Sequence, residues 1–468
     1  MPRHAELAEL ELPEFGLPTV EPVIPPETYL ARIEALSGKA RDAGYDSFVV
    51  YGDREHFANL AWLTGYDPRF EEALLILDLK GCGKPLLVVG NEGKGYTGIS
   101  SIEKRLRVAL YQSFSLVSQP RGDSKPMKGI LRLGGVKRGA RVGVAGWKYY
   151  TDVEVDDPEA ALEIPSYIAD TLRRVTGRGN VFNATALLLH PVIGLRAVND
   201  VDQLARFEYA GTFTSQALRG VLFGVRPGMT EHEAVQLMRL NGLPLSCHLM
   251  LSAGPRASMG LPSPSSRVIQ RGEPFTTAYG AWGSLNSRAG FMVKSETELP
   301  RQIRDYVPKL VVPYFEAVAA WYEKLRIGAS GGDLWKAVHG RIGDPFFGVH
   351  LNPGHLTSLD EWLSSPSYEG SKEKLVSGMA IQVDVIPGTG TRYFTSNIED
   401  GLCLADGGLR AEFAKRYPEA WGRIEARREF MIEKLGLILA PEVLPFSNIP
   451  AYLPPFILSP RSAMRMTF

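Results

Sequence analysis

The sequence predicts an α+β protein made of two domains in series, and three observations lead there. The chain has 468 residues, more than one ordinary hydrophobic core accommodates. From residue 27 to about residue 190, helical and strand-like periodicities alternate, as in an α/β layer domain. Beyond about residue 245 the pattern turns to strands and turns, with one long helix near 304–325.

Residues 1–26 are rich in Pro and Glu, show no sustained period, and read as an extended arm. From Pro26 onward Leu30, Ile33, Leu36 and Ala40 recur at helical spacing, and Gly44 stands where a helix-terminating glycine belongs. Residues 47–51 read as a strand. The polar turn Gly52-Asp53-Arg54-Glu55 then leads into a helical stretch from His56 to Leu63. Residues 73–77 and 85–89 read as buried strands parted by a Gly-Cys-Gly-Lys turn. A further strand falls at 141–145 and a helix near 164–174. A long amphipathic helix spans 199–221, and the domain boundary is placed just before it, near residue 192. Thr230 as N-cap with Glu233 three residues on has the spacing of a capping box. Residues 441–468, with several prolines and aromatics, read as a tail that packs on something, such as a second subunit. The expected plan is an arm (1–26), an N-terminal domain (27–191), a second domain (192–440) and a tail (441–468).

Lys plus Arg and Asp plus Glu both number 52, so the formal net charge is zero. That balance argues against nucleic acid or an anionic membrane as partner and leaves a small molecule or another protein. Cys82, Cys247 and Cys403 are odd in number, widely spaced and without a metal-type pairing, so reduced, buried thiols are expected. The N-terminus lacks a basic-then-apolar signal pattern, and no apolar run reaches about 18 residues. A cytoplasmic location is the expectation.

Six segments, in order, carry a family resemblance. Phe57 to Tyr66 ends in Leu-Thr-Gly-Tyr; Leu195-Arg196-Ala197-Val198-Asn199 runs into a helix; Arg226 to Glu233 contains Pro-Gly-Met-Thr-Glu. Then come Leu251-Ser252-Ala253-Gly254-Pro255, Ile269 to Pro274, and Gly378-Met379 with Asp384 and Asn397-Ile398-Glu399-Asp400-Gly401. Together they resemble the creatinase / aminopeptidase P / prolidase family over about residues 30–410. The resemblance implies a small N-terminal α/β creatinase-like domain and a C-terminal pita-bread domain. It also implies a homodimer in which the N-domain of one chain lies near the other chain's site.

In the family's peptidases two Asp, one His and two Glu hold two metal ions, since hard anionic oxygens are needed to bridge two cations. By resemblance the first Asp falls at Ala278 and the second within residues 285–289, which read Leu-Asn-Ser-Arg-Ala; no carboxylate stands between Pro274 and Lys294. His355 matches the family's His, Asp384 its first Glu, and Glu399 its last Glu. The substrate-side His falls at Leu261, with His248 and His350 nearby as replacements. No metal and no other cofactor is therefore expected. The departure resembles that of creatinase, which hydrolyses a C–N bond without metal, using a His and carboxylates that grip a guanidinium.

Each candidate also has a plainer reading. His355, His350 and His248 are weighed as catalytic or substrate-binding against hydrogen-bonded structural histidines. Cys247 and His248 are expected to face opposite ways if they lie on a strand. Asp384 and Glu399 sit in apolar, strand-like segments, where a buried carboxylate needs a partner; that partner is substrate, or else Arg288 or Arg392. Arg288 either replaces metal charge or, with Arg392, grips a substrate carboxylate. Trp282 and Tyr279 line a pocket or belong to the core. Arg69 and Phe70 are near a neighbouring subunit's pocket by resemblance, or simply solvated. Asp360 and Glu361, at the family's His-Glu-x-Pro position, are expected to be exposed or helix-capping.

The first expectation is thus a metal-independent, creatinase-like hydrolase of a non-peptide C–N bond in a small polar substrate carrying a carboxylate and an amidine-type group. His355 or His350 would move the proton. A peptidase relative with a single-metal site of His355, Asp384 and Glu399, and a non-catalytic ligand-binding homologue, are the alternatives.

Overall fold

The computed structural model describes residues 3–81, 83–258 and 260–467. Ile24–Ala197 form one compact unit; the residues up to Val23 and from Val198 onward form a second. The division falls at 197/198, a few residues beyond the expected 192. The chain enters on β1 (His4–Glu9), which belongs to the second unit.

The N-terminal unit carries a six-stranded sheet. Its strands are β2 (Ser47–Gly52), β3 (Ala73–Asp78), β4 (Leu86–Val89), β5 (Arg107–Leu110), β6 (Val142–Ala145) and β7 (Val181–Asn183), in the order β5-β4-β3-β2-β6-β7. β2 and β4 are buried at every residue, which is why they read as unbroken apolar runs rather than alternating ones. Val49, Leu74, Ile76, Val88 and Val144 share one core with Ile168 and Leu172 of the helix Ser166–Thr176. The first helix, Pro26–Asp42, starts with Pro at its first position and stops where Gly44 takes φ +80°. Cys82 lies outside the described residues.

The second unit opens with the helix Val201–Gly224, capped by the Asp200 side chain, which accepts from the Gln203 N–H. The Thr230–Glu233 capping box is formed in both directions. A seven-stranded sheet follows: β8 (Met250–Ala253), β9 (Pro274–Ala281), β10 (Ser284–Phe291), β11 (His355–Leu356), β12 (Ala380–Val385), β13 (Asn397–Leu404) and β14 (Val443–Pro445). The order is β11-β12-β13-β10-β9-β8, with β14 also on β13. The long helix expected at 304–325 is Val312–Lys324, entered through a wider turn at Val307–Val311. The helices Gly331–Ile342, Gly407–Arg416 and Pro418–Glu429 were not expected. Each carries a start signal that went unread: the Ser330–Asp333 capping box, the Asp406 N-cap and Pro418 at the first helical position.

The chain ends differ from the expected arm and tail. β1 pairs antiparallel with β15 (Ser462–Thr467), residue for residue from His4–Thr467 to Glu9–Ser462. Residues 441–468 also supply β14, and the Ile449 and Tyr452 carbonyls bond Arg288 inside the same unit. Two short strands at opposite ends of a chain give no periodic signal of their mutual pairing. No helix among the described residues is long and apolar enough to cross a membrane.

Candidate active site

The strand period of two sorts the central residues of the seven-stranded sheet. In register, Ser287 lies opposite both Ala278 and Glu399, Ala289 opposite Asn397, and Asp384 opposite Glu399. These residues share one face. Asn286, Arg288 and Asp400 alternate onto the other. Met250, Thr276, Ala278, Ser287, Asp384, Asn397 and Glu399 line a cavity of about 310 Å³ on the first face, together with Cys247, His248, Leu261, Glu361 and Trp362.

His355 does not itself line the cavity; it lies behind the lining residues Glu361, Asp384 and Glu399, on β11, which pairs with β12 so that His355 lies opposite Gln382. The approach requires Gly354: its φ is +95°, and a Cβ there would come within 2.7 Å of the Gln382 carbonyl. The Trp321 indole N–H holds the preceding turn through the Pro353 carbonyl at 2.8 Å. His355 is fully buried, and its Nδ1 lies 3.1 Å from the Leu356 carbonyl. A carbonyl only accepts, so Nδ1 carries a hydrogen and Nε2 faces the carboxyls of Glu361, Asp384 and Glu399. Nε2 is 3.2 Å from Glu361, 3.8 Å from Glu399 and 3.9 Å from Asp384, none of them in line for a hydrogen bond. Asp384 Oδ1 is likewise buried without a hydrogen-bond partner.

Burial opposes a charged imidazole, but Glu361 and Glu399 outweigh it and hold the His355 pKa well above its ordinary value. Burial pushes Asp384 up to about 6 and Glu399 well above the carboxylate range, each helped by its like-charged neighbours. Two carboxyls directly opposite across a strand pair repel, and no Lys or Arg stands among the described lining residues to offset them.

Glu361 is the residue that sequence reasoning missed. It is only partly exposed and caps no helix. Leu356 and Ser364 form a β-bridge, and residues 357–363 loop back between them. The loop returns Glu361 to Nε2 and lays Trp362 flat on the imidazole, with ring centroids 4.3 Å apart and planes at 27°. Its place at the family's His-Glu-x-Pro position was the available signal.

Arg288 requires the main correction. Alternation places it behind the sheet, fully buried, donating to Asp400 Oδ2 (2.7 Å) and to the carbonyls of Tyr452, Ser287, Glu399 and Ile449. It meets neither a substrate nor the Asp384 and Glu399 carboxylates. His350 and Arg392 are exposed and outside the cavity lining, because each lies on a loop beyond a strand end. Trp282 sits at the turn between β9 and β10, also outside the lining, and Tyr279 alternates onto the Arg288 face. Arg69 and Phe70 belong to the N-terminal unit. There they line a cleft with Arg54, Glu92 and Tyr96, and Arg69 is paired with Asp67. Residues 246–249 are not a strand, so Cys247 and His248 both reach the cavity. His248 Nε2 lies 2.8 Å from the Leu261 carbonyl, and burial pushes the Cys247 thiol up to about 12. Cys247 and Cys403 are both free, and Cys403 is buried.

The donor set does not fit the two-metal site that the resemblance implies, because Ala278, Leu285, Ser287 and Ala289 stand on the site face where two carboxylates are needed. A single ion is a different matter: ligand atoms of His355, Glu361 and Glu399 all lie within 4.8 Å of one another.

Neither a family model nor a curated protein sequence matches the chain at a significant level. Solved structures do match by shape. The prolidase of Thermococcus sibiricus has a TM-score of 0.61 and 17% identity, covering 81% of this chain and 95% of its own. The dipeptidase PepE of Mycobacterium ulcerans has a TM-score of 0.57 and 18% identity, covering 82% and 94%. The aminopeptidase PepP of Pseudomonas aeruginosa has a TM-score of 0.56 and 15% identity, covering 86% and 99%. At such identities the likeness speaks to architecture, and the chain has the two-domain pita-bread fold of the prolidase and aminopeptidase structures over most of its length.

Proposed function

We propose that this protein is a hydrolase that cleaves a non-peptide C–N bond in a small cationic substrate without a metal ion. One observation carries the reading. His355 Nε2 and Asp384 Oδ1 are buried without an in-line hydrogen-bond partner, and they converge with Glu361 and Glu399 beside a cavity whose described lining has no Lys or Arg. An amidinium-type group supplies the missing donors, since carboxylates pair with it bidentately. Asp384 and Glu399, fixed on adjacent strands, orient the cation. Glu361 takes a proton from the attacking water, the water oxygen bonds to the substrate carbon, and Nε2 of His355 delivers a proton to the departing nitrogen. Transfer from Glu361 back to His355 over their 3.2 Å separation resets the site.

The test is turnover of guanidino and cyclic amidine compounds by wild type and His355→Ala. Loss of about 10²-fold or more is expected; equal turnover sinks the assignment. A homodimer, with Arg69 and Phe70 facing the partner's cavity, is part of this proposal, and light scattering at working concentration checks the assembly.

A second reading, a peptidase relative with one metal ion, is favoured by the close set of His355, Glu361 and Glu399 ligand atoms. Those residues with Asp384 would hold the ion, which would activate water and polarise a carbonyl. Elemental analysis of protein purified without chelator separates the two: near-stoichiometric metal supports this reading, and none retained supports the first.

A further inference from the structure

The cavity lining holds a polar pair that the proposed chemistry does not use. On the site face of β10 and β13, Asn397 Nδ2 donates to Ser287 Oγ at 2.8 Å. Both residues line the cavity, and both are more than nine-tenths buried, at 6% and 5% exposure. Asn397 Oδ1 is buried with no hydrogen-bond partner. Leaving such an acceptor unmade costs free energy unless a ligand or water meets it.

The pair therefore presents two unspent functions side by side. Asn397 Oδ1 accepts. Ser287 Oγ, having accepted from Asn397, keeps its own hydrogen to donate. Reversing the amide exchanges the roles: Ser287 would then donate inward and accept outward, while Asn397 would donate outward. Either orientation leaves one donor and one acceptor.

We propose that Ser287 and Asn397 form a recognition subsite for a neutral group with one donor and one acceptor side by side, a carboxamide or ureido group. The inference rests on the cationic-substrate reading for what Asp384 and Glu399 hold, and it replaces the substrate carboxylate that Arg288 or Arg392 was expected to grip. A carboxylate has only acceptors and would meet the pair's outward acceptor, Asn397 Oδ1 or, with the amide reversed, Ser287 Oγ, oxygen to oxygen. It would also add negative charge beside Glu399 in a lining without Lys or Arg. An amidinium has only donors and belongs at Asp384 and Glu399.

The geometry sets a span. Asn397 and Glu399 are two residues apart on one strand face, a separation of about 7 Å, while Ser287 lies directly opposite Glu399 on β10, so the Asn397 end of the pair is the farther one. A guanidinium joined through three methylenes to a carboxamide has a matching reach.

The experiment is calorimetric titration of the full chain with n-butylguanidinium, 4-guanidinobutanamide and 4-guanidinobutanoate. The amide is expected to bind about tenfold more tightly than butylguanidinium, and the carboxylate no more tightly than butylguanidinium. Asn397→Ala should cut that advantage to about threefold or less. Ser287→Ala, the smaller change, is the second variant should the first fail to fold.

Butylguanidinium binding with no amide preference in wild type, or a preference untouched by both variants, overturns the subsite and leaves the cationic reading standing. Binding of the amide but not butylguanidinium, abolished by Asn397→Ala, keeps the subsite and removes the cationic reading. Binding by none of the three overturns both.

Discussion

The two faces of β13 differ in one respect that separates scaffold from site. On the far face the Asp400 carboxylate is saturated: Arg288 Nη2 and Asn286 Nδ2 donate at 2.7 Å, and the Ala451 N–H at 2.8 Å. On the near face Glu399, one residue earlier and equally buried, meets a second carboxylate across the sheet and no guanidinium. Both faces bury charge, so burial does not mark function. What marks it is charge and hydrogen-bonding capacity left unspent around a cavity. Glu208 repeats the far-face solution elsewhere. Burial raises its pKa, but Arg427 and Arg423 reverse the effect and hold it below the ordinary range.

The largest expected effect falls on the mated face. Arg288→Met leaves Asp400 buried without its cation and should destabilise the second unit by about 3–5 kcal/mol, read by urea denaturation. A loss under about 1 kcal/mol would erase the contrast between the faces.

On the near face the same kind of change should act oppositely. Glu399→Gln or Asp384→Asn removes like-charge repulsion and is expected to leave stability unchanged or raise it by about 1 kcal/mol. The sign follows in pH as well. Asp384 has a folded pKa of about 6 against an ordinary 3.8, and Glu399 is raised in the same direction. Their contribution is fully present below about pH 4 and is lost as pH rises through their folded values. His355, raised above 6.5, adds a loss of the same sign at higher pH. Glu361 and the Cys247 thiol face the same cavity. Unfolding free energy should therefore fall between pH 5 and 8 in wild type, on the order of 2 kcal/mol, and fall less when Asp384→Asn and Glu399→Gln are combined. Parallel curves would show that the near-face carboxyls are not strained.

The smallest effect belongs to Glu361, which sits on a loop and is partly exposed. Glu361→Gln should change stability by about 0.5 kcal/mol or less. It should still lower the His355 titration midpoint, seen in the imidazole resonances, because its carboxylate is the nearest one. An unmoved midpoint would assign the elevation to Glu399 and Asp384 alone.

Much of the site was legible before the fold. His355, Asp384 and Glu399 were picked out by motif position, and the lack of a carboxylate between Pro274 and Lys294 already removed two of the five ligands of the two-metal set. Arg288 was misplaced although the region beyond residue 245 was read as mostly strands and turns. A strand fixes only that neighbours alternate, and which face is the site depends on packing. Glu361 was set aside because a loop has no period from which to infer direction; a bridge between Leu356 and Ser364 turns it inward. The Ser287–Asn397 pair is 110 residues apart in sequence and carries no motif.

By itself, the sequence determined the two-domain α+β plan, the helix caps, the buried strands of the N-terminal sheet and the residue types available for chemistry. These follow from local periodicity and backbone preference, which act over a few residues. The tertiary structure decided which carboxylates face one another, which one Arg288 neutralises, that the chain ends pair as β1 and β15, and which polar atoms stay unspent. Those outcomes depend on strand register and loop return, and registers are set by the burial of whole faces, a property no local stretch of sequence contains.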